Sequence, residues 1–78
     1  MPVTADQTLD CSGLSCPMPI IKTRKALDTL SVGQVLKMIA TDPGSQSDMD
    51  AFVKKTGHQL LAAEQDAGKF VFFIKKTR

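Results

Sequence analysis

The alternation of apolar and polar residues along the chain predicts four strands and two helices. Short runs with a period of two, bounded by turn residues, predict strands over residues 7–11, 35–40, 59–65 and 69–75. Apolar residues at spacings of three and four predict one helix over residues 17–30 and a second that ends at Thr56, before Gly57. The predicted element order is therefore β-α-β-α-β-β.

The first two strands flank a helix, so they are expected to be parallel and joined by a right-handed crossover. Function in such sheets gathers where parallel strands end at their carboxyl side. The segments 10–16 and 41–44 both lie at that edge in the predicted topology. Asp42 is therefore a candidate neighbour of the first segment, although residue type alone favours a side chain that simply serves the turn.

Ser and Asp residues near position 45 predict how the second helix begins. Ser45 or Ser47 is the expected N-cap, with Asp48 or Asp50 three residues later giving a reciprocal capping pattern. The helix would then bury Met49 and its periodic neighbours.

The last strand carries aromatic residues on both of its faces. Alternation places Phe70, Phe72 and Ile74 toward the helices and leaves Val71 and Phe73 on the open face of the sheet. Phe73 could form a weak surface for self-association or for a partner. Alternatively, the stems of Lys37 and Lys75 could shield it.

The segment before the first helix places a thiol at a helix N-terminus. Pro17 suits the first helical position, which makes Cys16 the N-cap. The positive end of the helix dipole is expected to lower the pKa of this thiol and raise its nucleophilicity. Of the next two residues, Met18 can donate a backbone N–H to the sulfur, whereas Pro19 cannot. Gly13 is expected to supply a turn conformation that other residues resist.

Composition and length set limits on the class of protein. The 78 residues suffice for one domain, 1–78, and the formal net charge of +2 gives little support to autonomous nucleic-acid binding. Without a signal segment or membrane span, the protein is expected in the cytoplasm with its cysteines as thiols. No metal site is expected, because Cys11, Cys16 and His58 are too few soft ligands for a closed zinc site.

Several short motifs together resemble the TusA/SirA-like family of small sulfur carrier proteins. The residues that carry this resemblance are Leu9-Asp10, Gly13-Leu14, Cys16-Pro17-Met18-Pro19, Arg24-Lys25-Ala26-Leu27 and the turn Asp42-Pro43. Cys-Pro-x-Pro alone would be a weak motif, but the flanking pairs make it specific.

The resemblance implies an α/β (α+β) two-layer sandwich, with both helices on one face of a four-stranded mixed sheet. It implies that Cys16 accepts sulfane sulfur as a persulfide from a cysteine desulfurase or a rhodanese, and passes it to a cysteine of an acceptor such as a DsrE/TusD-like protein. The chain would then be a carrier, more than a multiple-turnover enzyme, with no cofactor beyond the covalent sulfur. Family resemblance also implies partner contacts for Met18, Ile21, Arg24, Lys25 and Asp42, structural roles for Gly13, Pro17 and Pro19, and no role for Cys11.

Two other functions stay open at this point. The same strand order resembles the C-terminal domain of a bacterial translation initiation factor, which would suggest a nucleic-acid or regulatory binding module. A redox sensor that pairs Cys11 with Cys16 is also possible from the sequence. A carrier needs Cys16 alone, a sensor needs both cysteines, and a binding module needs neither.

Overall fold

A computed structural model of the chain describes residues 5–15 and 18–78. The elements follow the predicted order. They are β1 Gln7–Cys11, α1 Met18–Asp28, β2 Val35–Ala40, α2 Ser45–Thr56, β3 Gln59–Asp66 and β4 Lys69–Lys75.

The four strands form one mixed sheet in the order β1-β2-β4-β3. β1 and β2 are parallel, from the pair Gln7 and Leu36 to the pair Cys11 and Ala40. β4 runs antiparallel to both of its neighbours. The predicted crossover and mixed sheet are thus confirmed, and the parallel pair places the ends of β1 and β2 at one edge of the sheet.

The hydrophobic core lies between the helices and one face of the sheet, as the α+β prediction requires. Full burial of a large apolar side chain contributes about 1.5–3 kcal/mol. Buried residues from both helices and three strands form the core cluster, which consists of Cys11, Ala26, Leu27, Leu30, Leu36, Met38, Ala40, Met49, Phe52, Val53, Phe72 and Ile74.

Helix α1 ends two residues earlier than the periodicity predicts. The N–H groups of Thr29 and Leu30 donate to carbonyls three residues back, at 3.1 Å each, in the manner of a tightened last turn. The Thr29 hydroxyl also donates to the Ala26 carbonyl. Leu30 nevertheless stays buried, which explains why its spacing fits a helix that has already ended.

The predicted serine cap of α2 is wrong. Gly44 is the N-cap, and no side chain makes the capping hydrogen bond. Asp42 shapes the turn instead, since its carboxylate accepts the Gly44 N–H and its carbonyl accepts the Ser45 N–H. Ser45 is the first helical residue and is buried, and its hydroxyl has no hydrogen-bond partner among the residues described. At the other end Gly57 adopts φ +82°, which confirms the predicted stop.

Phe73 faces the open side of the sheet but is only 9% exposed. Its neighbours across the ladder are Lys37 on β2 and Ala62 on β3. The Lys37 ammonium lies 5.9 Å from the ring centroid, within cation–π range. The predicted alternative in which Lys37 shields Phe73 is therefore confirmed.

A two-residue loop joins β3 to β4. Ala67 and Gly68 both have positive φ, at 50° and 80°, and Asp66 pairs with Lys69 around them. This is the pattern of a type I′ turn, in which alanine is unfavourable because its Cβ crowds the backbone.

Replacing Ala67 with Asn is expected to raise the free energy of unfolding by about 0.5–1 kcal/mol, since Asn tolerates the left-handed conformation. Ala67 is exposed, so no packing is lost. Urea denaturation measures the change, and Ala67→Val serves as the control that should destabilise. A lower midpoint for Ala67→Asn than for wild type would contradict this account.

His58 lies at the C-terminal end of α2, where its Nδ1 accepts the Thr77 N–H at 3.2 Å. Burial is the main reason why the pKa of His58 lies below its ordinary value of 6.5, and Lys76 and Arg78 lower it further. The neutral ring is therefore the form that fits the folded protein.

The free energy of unfolding is expected to fall as the pH drops through the ordinary His pKa of about 6.5 and below it, because the unfolded chain protonates His58 before the folded chain does. The stability that the neutral ring contributes is fully present above the pKa of His58 in the unfolded chain. It is lost as the pH falls toward the lower pKa of His58 in the folded protein. Urea midpoints across this range measure it. Carboxylates also titrate in this pH range, so the effect of His58 is the difference between the urea midpoints of wild type and of His58→Gln. The midpoint of His58→Gln should fall less steeply as the pH drops. Parallel curves would rule out the effect.

Candidate functional site

The loop after β1 is held by its own hydrogen bonds. The Asp10 carboxylate accepts the Ser12 N–H at 2.9 Å, and the Cys11 carbonyl accepts the Leu14 N–H at 3.1 Å. Gly13 has φ +80°, which confirms its predicted turn role. Leu14 then packs against the core. The loop thus leads in a defined path from the end of β1 toward the segment that contains Cys16.

A second contact ties this loop to the end of β2. The Gly13 N–H donates to the Thr41 hydroxyl at 2.9 Å, across the sheet edge where the parallel strands end. Sequence reasoning missed Thr41, although a hydroxyl directly after a parallel strand at this edge was a usable signal. Asp42, predicted near the site, follows Thr41 in the turn, where its carboxylate accepts the Gly44 N–H.

Cys16 and Pro17 lie outside the described residues, so their predicted positions at the N-cap and first helical turn stay predictions. Their flanking residues are described. The Met18 N–H donates to the Ser15 carbonyl at 2.9 Å. A local turn therefore uses the Met18 N–H, and the expectation that Met18 can offer it to the Cys16 sulfur stays a prediction.

Pro19 and Thr23 lie near the start of α1, on the side of the helix that faces the core. Both are buried, and the Thr23 hydroxyl donates to the Pro19 carbonyl at 2.7 Å. The second proline therefore has a packing role that the motif alone did not indicate. The buried stripe continues through Ala26 and Leu27, which fixes the orientation of the helix relative to the sheet.

The environment of Cys11 is described by the structure. Cys11 is fully buried at the end of β1. Burial raises the pKa of the Cys11 thiol, and the charge of Lys22 offsets this only in part. By contrast, hydrogen bonds from Ser12 hold the pKa of the neighbouring Asp10 carboxyl below its ordinary value of 3.8. Cys11 is thus a poor nucleophile in the folded state.

The predicted partner residues of α1 are all exposed but do not share one surface. Met18 and Ile21 are each 42% exposed, which is a large fraction for apolar side chains. Arg24 lines a groove of about 520 Å³ between α1 and α2, together with Ile20, Phe52 and Lys55 among others. Lys25 lies on the other side of the helix, in a groove beside β1. The sequence did not single out this α1–α2 groove or the two α2 residues named in it.

The described residues lack both a membrane-spanning helix and a cluster of metal-binding side chains. Within residues 5–15 and 18–78, no helix is both long and apolar enough to cross a bilayer. In the same part of the chain, no three His, Cys, Asp or Glu side chains come together as a potential metal-binding group.

Comparison with known proteins places this geometry in one family. The family model described as sulfurtransferase TusA matches residues 7–76. The chain is 56% identical over 72 residues to the sulfur carrier protein TusA of Allochromatium vinosum, covering 92% of this chain and 95% of that protein. It is 41% identical over 73 residues to the sulfur carrier protein TusA of Pseudomonas putida, covering 94% and 91%.

A solved structure supports the same assignment at the level of the fold. The crystal structure of a SirA-like protein from Desulfitobacterium hafniense superimposes with a TM-score of 0.78 at 26% sequence identity, covering 92% of this chain and 99% of that chain. Taken with the sequence matches, it shows that the chain belongs to the TusA family of sulfur carrier proteins.

Proposed function

We propose that this sulfur carrier holds its cargo as a persulfide on Cys16. The observation that carries the proposal is the contrast between the two cysteines. Cys11 is fully buried and the pKa of its thiol is raised. Cys16 follows a loop that is braced at Gly13 and Thr41 and precedes an exposed helix start at Met18. Of the two cysteines, only Cys16 has flanking residues in the sequence that suit sulfur exchange with another protein.

The chemistry is thiol–persulfide exchange. The Cys16 thiolate attacks the outer sulfur of a donor persulfide, forms a new S–S bond and releases the donor thiolate. An acceptor thiolate then attacks the outer sulfur on Cys16, so the sulfur moves on and Cys16 regains its thiolate. No net oxidation occurs in either step. The reaction requires no metal and no cofactor besides the transferred sulfur, and the protein acts as a carrier more than as a multiple-turnover enzyme.

Proposed partners follow from this exchange. The donor is a cysteine desulfurase or a rhodanese, the acceptor is a DsrE/TusD-like protein, and the compartment is the cytoplasm, where thiols stay reduced. Docking around the start of α1 is supported by the exposure of Met18 and Ile21, since exposed large apolar side chains commonly mark interfaces. Arg24, Lys25 and Asp42 would form the charged surroundings.

The redox-sensor alternative loses its main support. A sensor would need Cys11 to reach Cys16 and to ionise, whereas Cys11 is buried and burial raises the pKa of its thiol. No contact among the described residues favours the nucleic-acid alternative.

Intact-protein mass spectrometry tests the proposal. Wild type, Cys11→Ser and Cys16→Ser are incubated with a rhodanese and thiosulfate, or with a desulfurase and cysteine. Wild type and Cys11→Ser should gain one sulfur that a reductant removes, and Cys16→Ser should gain none. Equal loading of Cys16→Ser, or conversion of wild type to an internal disulfide alone, would refute the proposal.

A further inference from the structure

The two edges of the sheet differ in how they are protected. β3 carries a register irregularity between Leu60 and Ala62, a device that makes an edge harder to extend. β1 pairs with β2 in unbroken register over all of its residues, and within residues 5–15 and 18–78 no strand pairs with its outer side. The backbone groups that point outward from β1 are therefore a template for another strand.

A groove of about 300 Å³ runs beside this open edge. One face of α1 forms its upper wall and β1 its floor, with Gln7, Leu9, Lys22, Lys25, Ala26 and Thr29 as lining. Leu9 on β1 is half-buried and Ala26 on α1 is buried, so the inner part of the groove is apolar there, whereas both lysines are exposed at the rim.

The rim is positively charged and lacks internal neutralisation. Among the described residues the one ion pair joins Lys54 to Asp50 on α2, far along the chain from Lys22 and Lys25. The nearest acid of β1, Asp10, already accepts a hydrogen bond from Ser12. Such a rim complements an acidic ligand.

The groove has a direction. At one end the Thr29 hydroxyl lies 3.3 Å from the Gln7 side-chain oxygen, near the start of β1. At the other end Lys22 is close enough to influence the Cys11 thiol electrostatically, at the end of β1. Met18 begins the same helix face one turn earlier, because residues 18, 22, 25 and 29 recur at helical spacing. The groove therefore opens toward Met18 at the start of α1, which follows Cys16 by two residues in the sequence.

We propose that an extended, acidic segment of a relay partner adds to β1 as a further strand and presents its exchanging cysteine at the Cys16 end of this groove. Main-chain hydrogen bonds to β1 would give affinity, alternate apolar side chains would contact Leu9 and Ala26, and carboxylates would pair with Lys22 and Lys25. This inference rests on the proposed function, because it supplies the thiol that takes sulfur from Cys16.

Synthetic peptides test the inference without knowledge of the natural partner. The probes are extended peptides that alternate Glu with Val and carry one cysteine at either end, with Lys replacing Glu in a matched set. The carrier is first loaded with rhodanese and thiosulfate, and sulfur transfer to each peptide thiol is followed by mass spectrometry. One of the two cysteine positions should bring the peptide thiol to Cys16. With its cysteine at that end, the acidic peptide should accept sulfur about fivefold to tenfold faster than its Lys counterpart.

Variants and backbone changes separate strand addition from charge attraction. The double variant Lys22→Glu/Lys25→Glu should reverse the peptide preference, whereas Lys54→Glu/Lys55→Glu on α2 should not. N-methylation of every second peptide residue removes the N–H groups on one side of the strand. Transfer should slow about tenfold when the methylated residues are those whose N–H groups face β1, and it should not slow when they face away. Equal rates for acidic and Lys peptides, or no effect of N-methylation in either parity, would overturn the inference.

Two further readouts complete the test. If the carrier fails to load with sulfur, the proposed function fails before any peptide is added, so the two failures are distinguishable. Sedimentation equilibrium of the carrier alone tests whether a second copy of this chain occupies β1 instead. A dimer that Lys22→Glu/Lys25→Glu disrupts or alters would also overturn the proposal.

Discussion

Iodoacetamide is expected to alkylate Cys16 of the folded protein about a thousandfold faster than Cys11, because a fully buried thiol reacts only when the structure opens. Cys11 is 0% exposed and lies in the core cluster. For a domain with a free energy of unfolding of about 5 kcal/mol, the open fraction is on the order of one in several thousand. Peptide mapping after timed labelling gives both rates in one sample.

Labelling in denaturant is the control, since both thiols should then react at similar rates. In the folded protein Cys16→Ser should leave only the slow reaction, whereas Cys11→Ser should leave only the fast one. The pH dependence of the fast reaction also measures the pKa of Cys16, which the helix N-terminus is expected to place below the ordinary value of about 8.5. Fast labelling of Cys11 without unfolding would contradict the buried assignment and restore the redox-sensor alternative.

Strands proved easier to predict from sequence than the ends of helices. β2 and β4 were predicted with their observed bounds, because Val35 and Lys69 follow turn residues and each run ends in a break of the apolar pattern. The end of α1 was missed, since Leu30 is buried from a tightened turn and so keeps the helical spacing without being helical. Periodicity reports which face is buried, not which backbone hydrogen bonds are made.

The errors near the site have a related cause. The competition for a backbone N–H cannot be read from residue types, so the use of the Met18 N–H by the Ser15 carbonyl was not predicted, whereas the turn role of Asp42 was predicted from its residue type and is confirmed. The contact between Gly13 and Thr41 joins residues that are far apart in sequence, and only the sheet brings them together. Local motifs identified the cysteine, whereas the frame around it depends on the tertiary fold.

Helix α1 offers a matched pair of apolar residues that separates stability from docking. Leu27 is 1% exposed in the core, and Ile21 is 42% exposed near the helix start. Leu27→Ala is expected to lower the free energy of unfolding by about 2–5 kcal/mol through lost burial and a residual cavity. In a domain this small the loss is a large share of the total, so much of the variant should be unfolded at physiological temperature.

Ile21→Ala removes a side chain of similar size from the same helix, yet its cost in unfolding free energy is expected to stay below about 1 kcal/mol. Its effect should appear instead in sulfur transfer from a rhodanese to Cys16, slowed about fivefold if the side chain contacts the donor. Urea denaturation and loading rates, measured at a temperature where both variants are folded, test the pair. Equal destabilisation by the two substitutions would refute the assigned orientation of α1, and unchanged loading of Ile21→Ala would move donor docking away from this surface.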